Sequence, residues 1–306
     1  MVCAAALVFG ATSFSLADAL SNPDARMVLF DLRLPRVVFA VVVGGALAVV
    51  GATYQTLFRN PLASPFTLGV SSGAALGAAL ALMFGGASFG VAGSAMLGAL
   101  VSILLIMIVS RRLGDGAGDS LLLVGIVFSF LCSSVLTMLQ YLSDYSQLFR
   151  VTRWMMGGVP AVTSRDLLIG VALVVVLVAW LLKNTRELDL MSFGDDVAAV
   201  KGVSVNRLYY VTFILSSVVV GWIVAQCGVI GFVGIIVPAI ARLLVGLRHR
   251  YVLPISFVLG SLLVVSCDLL GRIARPPFEI PAGVFTAVLG GPVFICLAMI
   301  GYRRLR

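Results

Sequence analysis

Apolar runs of about 20 residues follow one another along nearly the whole chain, and most charged residues fall in the short connections between them. Such a run is what a helix needs to cross a hydrocarbon layer about 30 Å thick. Only helices and closed barrels satisfy every backbone polar group in lipid. Barrel strands would show alternating patterns in units of about ten residues, so the helical reading holds. Of the 306 residues, 61% are hydrophobic and 11% charged, against about 25% charged in a soluble domain. A chain this apolar has too little polar surface to cover itself in water. The sequence therefore predicts an all-α membrane protein.

Ten apolar segments can be marked, at about 1–17, 36–57, 66–84, 88–110, 120–142, 164–182, 207–226, 229–246, 252–271 and 281–302. The first is read as a short or truncated span. Ala17-Asp18-Ala19 resembles a small-x-small cleavage site, so a signal peptide is the alternative, although no basic stretch precedes it. With ten spans both termini share one side. Thirteen of the 21 Lys and Arg residues lie in connections on that side and eight on the other. The positive-inside rule then puts both termini in the cytoplasm. No long polar linker divides the chain, so residues 1–306 read as a single transmembrane domain. Glycines inside spans, such as Gly44, Gly45, Gly73, Gly98 and Gly234, let helix backbones approach closely.

Chemistry is sparse. The five cysteines, Cys3, Cys132, Cys227, Cys267 and Cys296, stand singly in apolar runs, and with one histidine, His249, they make no metal-ligand pattern. The net charge of +8 shows no aromatic interleaving, so it does not signal nucleic acid. No P-loop is present, and no nucleophile–histidine–acid set can be assembled. Asp268 and Asp119 lie near span ends, and no span carries a relay of ionisable groups, which weakens proton- or sodium-coupled transport.

Three connections carry more information. Arg59-Asn60-Pro61-Leu62-Ala63-Ser64-Pro65 breaks the helix, and the Gly-rich re-entry through Gly69 and Gly73 suits backbone lining a cavity, or an ordinary tight turn. The stretch from Lys183 to Arg207 contains Phe193–Gly202, read as a short helix with acids in its first turn and glycine after its end. It suits docking to a partner or an interfacial anchor. On the opposite side Arg33 and Arg36 bracket Leu34-Pro35, and Arg272 ends the ninth span. Arginine recognises carboxylates through two parallel hydrogen bonds, so this set suggests an acidic partner, with snorkelling toward lipid phosphates the competing reading.

Taken in order, several pieces resemble the membrane permeases of the iron-siderophore, haem and vitamin B12 importers, the ten-helix, type II class of ABC importer. They are Arg33-Leu34-Pro35-Arg36, Arg59-Asn60-Pro61-Leu62-Ala63, Leu68-Gly69-Val70-Ser71-Ser72-Gly73-Ala74, Trp154-Met155-Met156-Gly157-Gly158, Gly231-Phe232-Val233-Gly234 with Val237-Pro238, Ile240-Ala241-Arg242, His249-Arg250 and Ile280-Pro281-Ala282-Gly283-Val284. The resemblance spans nearly the whole chain. It implies about ten transmembrane helices per subunit, a second permease copy, two cytoplasmic ATPase subunits and a periplasmic or extracellular substrate-binding protein. It also implies the cytoplasmic (inner) membrane of a bacterium as the location. ATP and Mg would sit on the ATPase subunits, with no cofactor in this chain. The resemblance places binding-protein docking at Arg33, Arg36 and Arg272, and the cytoplasmic gate at Asn60 and Leu62. The ATPase-coupling helix falls at Gly194, Asp195, Asp196, Ala198 and Gly202, inside a coupling segment of about 183–207. Phe128, Ser129, Cys132 and Ser133 are candidates for the pathway lining.

Three departures stand out. Ala239 replaces a histidine common in the family, Lys201 replaces the hydrophobic residue usual before the closing glycine, and the family's cytoplasmic lead-in is missing, which puts Met1 as the true start in doubt. The expected function is ATP-driven import of a bulky metal chelate, first an iron(III)-siderophore, with cobalamin or haem as alternatives. An ATP-independent secondary transporter and a non-transporting scaffold are the rivals from other classes.

Overall fold

The computed structural model describes Ala6 and residues 26–84, 90–113, 117–274 and 278–304. Among these residues the structure is helical throughout, with no strand. Twelve α-helices follow a π-helical turn, Val28–Arg33: α1 Leu34–Leu57, α2 Val70–Phe84, α3 Gly90–Leu113, α4 Ala117–Leu142, α5 Tyr145–Met155 and α6 Ser164–Lys183. The series continues with α7 Thr185–Met191, α8 Asp195–Val200, α9 Val205–Cys227, α10 Val233–Val245, α11 His249–Ile273 and α12 Ala282–Arg304.

Nine of the ten apolar segments coincide with helices, and the segment 1–17 lies outside the described residues apart from Ala6. Among the described residues six helices are long and apolar enough to cross a membrane, and the apolar helices α2 and α10 are shorter. The first long one starts at Val28 rather than after Pro35, so Arg33 and Arg36 sit within a continuous helical stretch instead of a connection. The π-turn explains this. Leu34 N–H reaches back five residues to the Leu29 carbonyl, and winding continues past Pro35, which has no N–H of its own to give.

Helix α1 runs through the middle of the bundle: 89% of its most apolar window is buried, against 22% for the corresponding window of α4. Small residues make this position accessible. A methyl on Gly44 would overlap the Gly260 carbonyl of α11, and one on Gly51 would overlap Gly234 of α10. Helices α2 and α3 close in the same way through Gly73 and Gly98. Lipid gives no hydrophobic drive for helix association, so such backbone approach supplies the dispersion that holds the helices together. Helices α3, α4 and α6 instead expose apolar side chains such as Leu104, Phe130 and Val175.

Two apolar segments are only partly helical. At 15 and 13 residues, α2 and α10 span about 22 and 20 Å, short of the 30 Å layer. Each follows an unwound stretch. One contains Arg59 (φ 45°) and Gly69 (φ 84°), and the other contains Gly228 (φ 69°) and Phe232 (φ 66°). Hydropathy counts residues 66–69 and 229–232 as span because they are mostly apolar, and it is blind to their backbone conformation.

The unwound backbone finds partners. Ser129 Oγ donates to the Thr67 carbonyl (3.4 Å), and Ser71 Oγ donates to that of Pro65 (3.4 Å). Inside α10, Pro238 cannot give an N–H to the Gly234 carbonyl four residues back. The Gln55 side chain of α1 supplies the missing donor, Nε2 lying 3.1 Å from that oxygen and 3.1 Å from the Ile235 carbonyl. Arg242 completes the node by donating to Gln55 Oε1 and to the Ala52 carbonyl.

Candidate transport site at the two ends of α1

The two ends of α1 each carry a polar node. At its first turn, Arg36 faces two carboxylates. Nη2 lies 2.8 Å and Nε 3.2 Å from Asp268 Oδ1 of α11, while Nη2 lies 2.9 Å and Nη1 3.2 Å from the two oxygens of Glu279. One turn beyond Asp268, Arg272 places Nε 3.1 Å from Asp268 Oδ2 and gives Nη2 to the Ala6 carbonyl at 3.1 Å. The structure thus brings Arg33, Arg36 and Arg272 to one end of the bundle. It also buries them: Arg33 is 8% and Arg272 4% exposed, as is their acid Asp268 at 3%. Glu279, at 46%, is the open member. A cleft of about 440 Å³ lies beside them, with Arg150 and Arg153 of α5 on its wall together with Arg36, Asp268 and Glu279. Helix α5 occupies what hydropathy reads as a connection. It is fixed by a capping box in which Asp144 Oδ1 accepts the Gln147 N–H at 2.8 Å and Gln147 Oε1 accepts that of Asp144 at 3.3 Å.

At the other end, α1 stops and turns on Asn60, whose Oδ1 accepts the Leu62 N–H at 2.9 Å. Leu62 is half exposed at the tip. The segment from Lys183 to Arg207 packs beneath this turn as two short helices, α7 and α8, of which only α8 is legible as a helix from its residues. Gly194, at φ 116°, starts α8 beside the Arg59 guanidinium, and Gly202, at φ 84°, follows its end. Ala198 is buried against the bundle, whereas Phe193, Val197 and Val200 form an exposed apolar ridge, with Asp196 also on the surface.

Two buried rings join this segment to α1. His249, at the start of α11, sets Nε2 2.7 Å from Thr56 Oγ1 and Nδ1 2.6 Å from Asp189 Oδ1 of α7. The same oxygen accepts the His249 backbone N–H at 2.9 Å, capping α11. Tyr209 of α9 places its hydroxyl 2.6 Å from the Leu57 carbonyl and 3.2 Å from Asp195 Oδ1 of α8. Tyr209, Asp189 and Glu279 were not singled out by sequence reasoning, and His249 was named only as the one histidine and in the His249-Arg250 motif. Glu279 directly precedes the Ile280-Pro281 motif, the one available signal; the other contacts span 60 residues or more, or depend on a neighbouring helix.

The four residues Phe128, Ser129, Cys132 and Ser133 do not share one face. Phe128 and Cys132 line a cleft of about 550 Å³ against α2 and α3, Ser129 braces the unwound stretch before α2, and Ser133 is exposed. Among the described residues no cluster of His, Cys, Asp and Glu could hold a metal ion.

A bundle of apolar helices, with one short helix ridge at one end and an arginine–carboxylate node at the other, matches the FecCD transport family over residues 1–300. The chain belongs to that family. It is 38% identical to the hemin transport system permease protein of Yersinia pestis over 298 residues, 95% of this chain and 89% of the relative. It is 37% identical to the vitamin B12 import system permease protein of Vibrio cholerae, over 96% of this chain and 89% of that one. Among solved structures, a protein described as a metal-chelate type ABC transporter in an inward-facing conformation superposes with TM-score 0.88 at 32% identity, covering 97% of this chain and 95% of that one. This FecCD family chain therefore has the type II ABC importer permease fold and is a multi-pass membrane protein, an ABC transporter permease subunit.

Proposed function

We propose that this chain is the transmembrane permease subunit of an ATP-driven importer of a bulky metal chelate, with an iron(III)-siderophore as the first cargo to test. The supporting observation is the coupling of one accessible ridge to one gate. Phe193, Val197 and Val200 offer apolar surface to a partner, and the helix that carries them is hydrogen-bonded through Tyr209 to the end of α1, where the chain turns on Asn60 toward Leu62. Two cytoplasmic ATPase subunits holding ATP and Mg would engage that ridge on the coupling helix of Gly194, Asp195, Asp196, Ala198 and Gly202, with Ala198 on the side facing the bundle. The termini then lie in the cytoplasm of a bacterium, the membrane is its inner one, and the whole chain acts as one permease domain with a coupling segment at about 183–207.

A second copy would complete the pathway, for which Phe128 and Cys132 are the better placed lining candidates and Ser129 and Ser133 the weaker. A periplasmic or extracellular binding protein would dock at the Arg36 end. There Arg36 pairs with Asp268 and Glu279, and Arg272 with Asp268. Because Arg33 and Arg272 are buried, Arg36 is the member positioned to meet an incoming carboxylate, in exchange for Glu279.

Haem or cobalamin is the second reading of the cargo, favoured by the names of the two relatives. Uptake into proteoliposomes containing the permease, its ATPase and its binding protein tests all three, with an iron(III)-siderophore, hemin and cyanocobalamin supplied in turn. ATP-dependent uptake of one of them is expected. Uptake that persists without nucleotide would establish the secondary-transporter reading instead.

A further inference from the structure

The two short helices of the coupling segment are held to α1 by the same device used twice. One aspartate of each makes the contact, Asp189 on α7 and Asp195 on α8. Each aspartate meets a buried ring from a different spanning helix, His249 of α11 (2% exposed) and Tyr209 of α9 (1% exposed). Both rings then reach adjacent residues in the last turn of α1, the Thr56 hydroxyl and the Leu57 carbonyl. We propose that Tyr209 and His249 are paired positioning residues that make the coupling segment and the gate end of α1 move as one body. The inference rests on the permease reading above and adds to it which side chains carry the motion.

The chemistry suits a stiff link. A carboxylate only accepts, so His249 Nδ1 carries the proton toward Asp189 and fixes the ring orientation. Asp189 Oδ1 also takes the first N–H of α11, so α7 cannot shift without pulling on the start of that helix. A charge-assisted hydrogen bond is shorter and stronger than a neutral one, and here the ring side is buried while Asp189 is 37% exposed. The Tyr209 hydroxyl shares its single proton between the Leu57 carbonyl and Asp195. Beside them Arg59, first residue of the Arg59-Asn60-Pro61 turn, lies against Gly194. With two links on neighbouring residues of α1, translation of the segment cannot be absorbed by rotation about one of them. Packed interfaces with discrete arrangements transmit small shifts in this way.

The test uses the full transporter in nanodiscs, permease with its ATPase subunits, and ATP, Mg and vanadate as the only ligands. Spin labels at Arg186→Cys, exposed on α7 and outside the ridge, and, separately, at Leu62→Cys report distances between the two permease copies. In the otherwise wild-type protein, trapping is expected to change both distances. In Tyr209→Phe/His249→Ala, the Arg186 distance should still change while the Leu62 change shrinks at least fivefold. Asp189→Asn, which keeps the acceptor oxygen, should retain more than half of the Leu62 change, and Asp189→Ala should not. Should the double variant fail to fold, Tyr209→Phe and His249→Gln singly replace it, each expected to lose at least half of the Leu62 change. A full Leu62 change in these variants overturns the proposal alone. Labels that move at neither site in the wild type, with ATPase bound, would overturn the permease reading beneath it.

Discussion

Replacing Asp268 by Asn should destabilise the protein far more than replacing Glu279 by Gln, although both acids bind the same arginine. Asp268 is 3% exposed and stands between Arg36, at 2.8 Å, and Arg272, at 3.1 Å. Asn keeps an acceptor oxygen but removes the charge. Arg36 and Arg272 then have the single carboxylate of Glu279 where they had two. Arg272, 4% exposed, is largely shielded from water that could replace the lost partner. Breaking a buried pair from one side costs about 3–5 kcal/mol, because it leaves an uncompensated buried charge. Glu279 is 46% exposed, and removing its charge leaves Arg36 with both hydrogen bonds to Asp268, so the cost there is about 0–1 kcal/mol. In a chain of this length the larger penalty corresponds to a fall on the order of 5–10 °C in unfolding midpoint. Tryptophan fluorescence during heating of the purified permease in detergent, at one scan rate, measures both variants. Removing both charges, as Asp268→Leu/Arg272→Leu, should recover part of the loss. Midpoints for Asp268→Asn and Glu279→Gln within about 1 °C of each other would refute the argument that burial, not the number of ion pairs, sets the value of this node.

Further outcomes follow from other contacts. Glu279→Gln should tighten docking of the binding protein severalfold in surface-binding measurements, since it vacates one side of the Arg36 fork; unchanged or weaker binding would remove Arg36 from the docking surface. Gly44→Val drives a side chain into the Gly260 backbone and should cost about 3 kcal/mol or more, read from the same thermal scan. Gln55→Leu leaves the Gly234 carbonyl without its donor and should cost about 1–3 kcal/mol. Val200→Asp, at a position 86% exposed, should leave the unfolding midpoint unchanged and weaken ATPase association about tenfold in pull-down titration.

The long helices were legible because apolar runs of this length have one solution in lipid, and α8 because Gly194, two aspartates and Gly202 mark both its ends. The starts of α2 and α10 were not, since an unwound apolar stretch and an apolar helix share one composition. Arg33, Arg36 and Arg272 could be grouped on one side by counting connections. Their burial could not be foreseen, because Asp268 reaches Arg36 across 232 positions of sequence. The single histidine was read only as a piece of the His249-Arg250 motif. Its partners Thr56 and Asp189 become neighbours only when α1 and α11 pack along their length, through Gly44 and Gly260.

The exchange between Gln55 and Pro238 has a consequence for how this sequence can change. An ordinary residue at 238 would bring its own N–H to the Gly234 carbonyl, and that oxygen's second lone pair could still accept the Gln55 amide. A change at 55 alone would strand the oxygen that proline cannot serve. The two positions, 183 apart, are therefore ordered in inheritance: the proline can be replaced while Gln55 stands, whereas Gln55 is held in place for as long as 238 is proline.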